Sequence, residues 1–154
     1  MTARTVMLPE PVTIPDTANL AQALDVLFRH RIKAVPVIDA TRRYRGLFGM
    51  HGLVRHLLPR AATLDDGASL TDLTFVHDTL ETVKERLNGA LNDPVLRFVD
   101  RDLQPMSPDE SLLETLLLLH RHRHTLPVVD PASGRLLGVV TYWGIFSRLT
   151  GRPA

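Results

Sequence analysis

A chain of 154 residues with 44% apolar and 23% charged residues is composed like a globular protein rather than a disordered one. Its 18 basic and 17 acidic residues leave a net charge of +1, no electrostatic reason to expect nucleic acid or an acidic membrane as partner. The absence of cysteine excludes disulfides and thiolate metal sites and suits a reducing compartment.

From the N-terminus, Met1 to Pro9 has no apolar core of the kind a secretory signal needs, so a cytoplasmic protein is expected. Pro15-Asp16-Thr17 then opens a helix with Asn19 as candidate N-cap, and Leu20, Leu24, Leu27 and Phe28 recur at helical spacing as one apolar stripe. A short strand is expected at Ala34–Ile38 and a turn at Asp39–Arg45. A second strand, Gly46–Gly49, and a short helix, His51–Leu58, should follow.

The next segment changes character. Between Thr63 and Asp93 stand seven acidic residues against Lys84 and Arg86. Asp66-Gly67 reads as a turn, and Leu80, Val83, Leu87 and Leu91 predict an amphipathic helix over Thr79–Leu91 with its apolar edge on the rest of the fold. Phe98 and Val99 lead on as an extended segment.

The first pattern then returns. Pro108-Asp109-Glu110 precedes a helix with Ser111 as candidate N-cap, followed by strands at Leu126–Val129 and Leu136–Thr141 and a helix at Tyr142–Leu149. The steps from Pro15 to Pro108, Pro36 to Pro127 and Gly46 to Gly138 are 93, 91 and 92 residues, so the chain holds two copies of one β-α-β-β-α unit. Units of this size are marginal alone and should fold against each other. The returning helix carries Leu112, Leu113, Leu116, Leu117, Leu118 and Leu119, which spread over more than one face, so one side needs a partner surface: the first copy or a second chain.

Other constellations yield little. His120, His122 and His124 alternate with arginines, but at a helix end a spacing of two does not bring side chains together, and no metal site is expected. Arg42, Arg43 and Arg45 crowd the first hairpin turn, where they either contact an anion or simply face solvent. Asp39 and Asp130 begin turns and should cap their own backbone rather than act as paired catalytic acids. No nucleophile elbow, glycine-rich phosphate loop or zinc-hydrolase motif is present, so no enzyme is expected.

Leu126-Pro127-Val128-Val129-Asp130 after a helix end rich in His and Arg, followed by Gly138-Val139-Val140-Thr141 before a short helix, resembles the CBS domain. Two copies in register resemble the tandem pair called a Bateman module, in its stand-alone prokaryotic form. The resemblance implies an α+β fold of two β-α-β-β-α repeats about a pseudo-twofold axis, joined by a helical linker. The organisation expected is 1–60 for the first repeat, 61–97 for the linker and 98–154 for the second. It also implies a regulatory protein that senses an adenosine derivative (AMP, ATP or S-adenosylmethionine) in clefts between the repeats, forms a homodimer through its helices and modulates an unnamed partner protein. The alternative is a structural dimerisation and docking module with empty clefts.

Carried over residue by residue, the resemblance assigns the second cleft to Met106, Ser107, Arg123, His124, Thr125, Thr141 and Tyr142. It assigns the first cleft to Ile32, Lys33 and Ala34 with Gly49, Met50 and His51. The family's pattern places an Asp, the ribose partner, three residues after the Ser/Thr. Here Gly52 and Gly144 stand there, and Gly49 replaces the first Ser/Thr. Weak or absent nucleotide binding is therefore expected, with any remainder in the second cleft.

Overall fold

The computed structural model describes residues 1–58, 79–122 and 125–154. The Asp66-Gly67 turn, Arg123 and His124 lie outside the described residues.

The first repeat is built from helix α1 (Ala3–Val6), strands β1 (Leu8–Pro9) and β2 (Ile14–Pro15), and helix α2 (Leu20–His30). Strands β3 (Ala34–Ile38) and β4 (Tyr44–Gly49) and helix α3 (Met50–Leu57) complete it. Helix α4 (Leu80–Ala90) follows, leading into a single 3-10 turn, Val95–Arg97. The second repeat continues through β5 (Val99–Asp100), α5 (Leu112–His122), β6 (Leu126–Val129), β7 (Leu136–Val140) and α6 (Tyr142–Thr150).

Local chemistry accounts for the helices. Asn19 caps α2 in a reciprocal box with Gln22, and Arg31 ends it in the left-handed conformation. Thr79 and Thr82 form the same kind of box at α4, while Ser111 accepts from the amide of Glu114 at the start of α5. In α2, Leu20, Ala23 and Leu27 are fully buried, whereas Phe28 is 64% exposed. Phe28 lies at the edge of the expected stripe, and the small Ala23 takes its place on the buried side. The linker helix α4 buries no residue completely; it sets Leu87 and Ala90 against the first repeat's core.

The two sheets exchange strands. β2 runs parallel to β3 and β3 antiparallel to β4, but the fourth strand of this sheet is β5, from the second repeat's lead-in. Reciprocally, β1 from the N-terminus pairs with β7, giving the order β1-β7-β6. The registers Leu8↔Val139 and Asp100↔Leu47 correspond under the 92-residue offset of these segments, so the exchange obeys the pseudo-twofold axis.

This crossing explains the glycine that opens each signature. A Cβ on Gly138 would sit 2.6 Å from the Leu8 carbonyl oxygen, and one on Gly46, at φ +147°, would sit 2.8 Å from the Val99 Cβ. No side chain fits where the exchanged strand passes.

The cores follow the same logic. Val95 and Phe98 complete a cluster around Leu20, Leu27, Val35, Val37 and Phe48. Ala3 and Val6 complete the other, around Leu119, Leu126, Val128, Val140 and Ile145, which also receives Ala34 and Leu47 from the facing sheet. Strand β3 is therefore covered on both faces, which is why it reads as an unbroken apolar run rather than an alternating one.

Candidate functional site

In the first repeat the hairpin register pairs Ala34 with Gly49, and the Lys33 carbonyl accepts from the Met50 amide at 2.9 Å. Ile32, Lys33 and Ala34 thus meet Gly49, Met50 and His51 where β3 begins and β4 ends. Lys33 is exposed, Ile32 half-buried and Ala34 buried. In the second repeat Leu126 pairs with Val140, which brings Thr125 beside Thr141 and Tyr142 at the corresponding place. Met106 and Ser107 lie further along: Met106 bridges Val128 in parallel, three residues beyond Thr125, and its side chain is 4% exposed within the core. The Ser107 hydroxyl accepts from the Asp109 amide at 3.3 Å.

Thr141 is the N-cap of α6, its Oγ1 accepting from the Gly144 amide at 3.0 Å. The hydroxyl proton is not used by that bond and can be donated. Tyr142 donates to the Leu119 carbonyl at 3.0 Å, tying α6 to α5. The first repeat's counterpart, Gly49, gives α3 no side-chain cap.

The positions that replace the family's aspartate are closely backed by main chain. A Cβ on Gly144 would lie 3.2 Å from the Val6 carbonyl oxygen, and one on Gly52 would lie 3.4 Å from that of Phe98. Val6 and Phe98 are 92 residues apart, the offset of the repeat itself, so aligning the lead-in segments as well as the signatures would have found them. Each comes from the exchanged segment of the opposite repeat.

The remaining sequence candidates have local partners. Asp39 accepts from the amides of Thr41 and Arg43 and the Thr41 hydroxyl; the Arg43 amide, then the Thr41 hydroxyl, hold its carboxyl below the ordinary value. Asp130 is likewise lowered, first by the Ser133 hydroxyl at 2.5 Å and then by the Ala132 amide. Both are turn caps. Arg45 pairs with Asp16 at 2.9 Å, and Arg43 and Arg135 form a bridge where the two hairpin turns meet. His120 and His122 occupy the last turn of α5. Among the described residues no group of three or more His, Asp or Glu is placed to hold a metal, and no helix is long and apolar enough to cross a membrane.

Two cavities lie apart from these strand–helix junctions. One, of about 310 Å³, is bordered by Asp16, Thr17, Ile38 and Asp39. The other, of about 300 Å³, lies between α3, α4 and the segment Asp93–Phe98.

Comparison with known proteins agrees with this architecture. The CBS domain family matches twice, over residues 3–59 and 95–151. No curated protein matches in sequence. Among solved structures, a CBS domain-containing protein of unknown function from Bacillus anthracis is 17% identical, with 99% of this chain and 95% of that chain covered and a TM-score of 0.72. CBSX2 from Arabidopsis thaliana, a CBS-pair protein, is 19% identical over 99% of this chain and 98% of its own, with a TM-score of 0.70. CbpB, solved in complex with c-di-AMP, is 14% identical over 99% of this chain and 86% of its own, with a TM-score of 0.68. With both repeats matched and the exchanged strands joining them into one unit, the chain belongs to the CBS domain family as a tandem CBS pair.

Proposed function

We propose that this protein is a regulatory ligand sensor rather than an enzyme, acting from a reducing cytoplasm as a homodimer on a partner protein. The observation that carries the reading is the pairing of strand starts with helix starts at equivalent places in both repeats. The ligand class proposed is an adenosine derivative such as AMP, ATP or S-adenosylmethionine; CBSX2 and CbpB have been solved with AMP and c-di-AMP respectively. The binding residues proposed are Thr125, Thr141 and Tyr142 with Met106 and Ser107, and Arg123 and His124 are assigned to the same cleft from the sequence alone. Ile32, Lys33 and Ala34 form a weaker first cleft.

A ribose buried in either cleft meets a glycine where a carboxylate would hold its hydroxyls. The missing charge-assisted bonds amount to about 1.5–3 kcal/mol, roughly a tenfold to hundredfold weakening. Titration calorimetry with AMP and ATP should therefore give weak binding. Thr141→Ser should retain it, since both the cap and the donated proton survive, and Thr141→Ala should remove it. Low-micromolar binding unaffected by Thr141→Ala would place the site elsewhere.

The alternative, a docking module with empty clefts, is favoured by a different observation. Leu113, Trp143 and Phe146 of the second repeat are 78%, 79% and 56% exposed, apolar surface that suits a protein partner. No binding of any adenosine compound, with dimerisation intact, would favour it.

A further inference from the structure

Helix α5 has two unlike sides. Thr115 and Leu119 are buried in the fold, while Leu113, Leu116 and Leu117, with His120 at their end, form an exposed stripe on the opposite side. Glu114 and Arg121 border that stripe. They are two helical turns apart and so stand on the same flank. Both are exposed, and among the described residues neither forms an ion pair. The counterpart helix α2 has no such face: Gln22, Asp25, Arg29 and His30 are exposed there, with Phe28 as the one large apolar side chain among them.

A stripe of leucines needs a cover, and the charges beside it select one. The point midway between Glu114 and Arg121 lies between Leu117 and Leu118. A second α5 laid antiparallel on the stripe, about a twofold axis through that point, brings the same flank of each helix together. Each Glu114 then stands opposite the partner subunit's Arg121, twice by symmetry. A parallel pair would instead set like charges against each other, and the helix macrodipoles also favour the antiparallel one. By itself α5 is about 16 Å long, a small patch for a stable dimer. Helix α6, joined to α5 by the Tyr142–Leu119 hydrogen bond, widens it with the exposed Trp143, Phe146 and Leu149, one turn apart in succession.

We propose that two copies of this chain associate through their second repeats, α5 against α5 antiparallel, with Glu114 of each copy paired to the partner subunit's Arg121. The proposal rests on the homodimer proposed above and adds which repeat forms it and in which register. It also places the interface next to the better-equipped cleft. Tyr142, which follows Thr141 at the start of α6, bonds to α5, so a ligand held at Thr141 bears on the helix that carries the interface.

The test uses the full-length chain in sedimentation, where the parent should be a dimer at micromolar concentration. Glu114→Arg alone and Arg121→Glu alone each set like charges opposite one another at two places, and each should raise the dissociation constant about tenfold. An equimolar mixture of the two variants should recover the parental affinity, as should the double variant. The chain has no cysteine, so single cysteines report the register. Leu117→Cys, beside the axis, should give a disulfide-linked dimer under mild oxidation. Leu113→Cys, about 14 Å along the helix from its copy, should not. A monomeric parent would overturn the homodimer itself and this register with it. A dimeric parent in which the charge reversals have no effect, the mixture fails to recover, or Leu113→Cys cross-links in place of Leu117→Cys would overturn the register and leave the homodimer standing.

Discussion

At the start of its closing helix the first repeat has Gly49, which offers no cap, and the second has Thr141, which caps α6 through the Gly144 amide. The same contrast extends outward. The first repeat's α2 hides Leu20, Ala23 and Leu27 completely, while α5, its counterpart, buries Leu119 but leaves Leu113, Leu116 and Leu117 78%, 37% and 39% exposed. Backbone exchange keeps the repeats equivalent, because each sheet needs the other's strand. Side chains make them different: the second repeat keeps the only signature hydroxyl and carries the broad apolar exposure.

The largest effect should come from breaking the equivalence itself. A chain ending at residue 93 lacks β5, Val95 and Phe98, so one sheet loses its edge strand and one core its cover, while α1 and β1 lose the sheet they join. Such a fragment should show no cooperative thermal transition. A sharp melt would show that the first repeat folds alone.

The asymmetry of the helices can be broken next. Exposed leucines recover about 1.5–3 kcal/mol each when fully buried. If α5 forms the homodimer, Leu113→Glu with Leu117→Glu should raise its dissociation constant on the order of a hundredfold, read by sedimentation. Phe28→Glu on α2 should leave it unchanged. Equal disruption by Phe28→Glu would mean that both repeats share the interface.

Substitutions at the glycines should grade the crossing. Gly138→Ala drives a methyl to 2.6 Å from the Leu8 carbonyl, so it should cost about 1–3 kcal/mol or more in denaturant melts. Gly144→Asp faces Val6 at 3.2 Å and should cost less; Gly52→Asp, at 3.4 Å from the Phe98 carbonyl, should cost least. Only Gly144→Asp should also strengthen nucleotide binding, since Thr141 stands beside it. The reverse order of stability would mean that the exchanged segments yield more readily than their registers suggest.

The smallest effect concerns acid. The carboxyls of Asp39 and Asp130 are held below their ordinary value of 3.8, so the stability they add is fully present above that pH. It is lost as pH falls through their lowered folded values. The melting temperature of Asp39→Asn should lie slightly below that of the parent at neutral pH, and the gap should close below about pH 4. A gap that widens in acid would show that Asp39 is not acting as an ionised cap.

Much of this was readable along the chain because the determining interactions are local. Asn19 and Thr79 cap the helices they precede, Asp39 and Asp130 fold their own turns, and the β3 and β6 runs announce buried strands through five or fewer residues each. The copy-to-copy spacing then showed that one architecture occurs twice. Only the tertiary structure decided what covers each copy. That β1 joins β7, that β5 joins β4, and that the carbonyls of Val6 and Phe98 back Gly144 and Gly52 all depend on contacts between residues far apart in sequence. A glycine reads the same in sequence whether it leaves room for a ligand or for a neighbouring backbone. The exposure of Phe28 and the cavity beneath α4 were hidden for the same reason: periodicity tells which residues share a face of a helix, but the partner packed on that face sets how far burial extends.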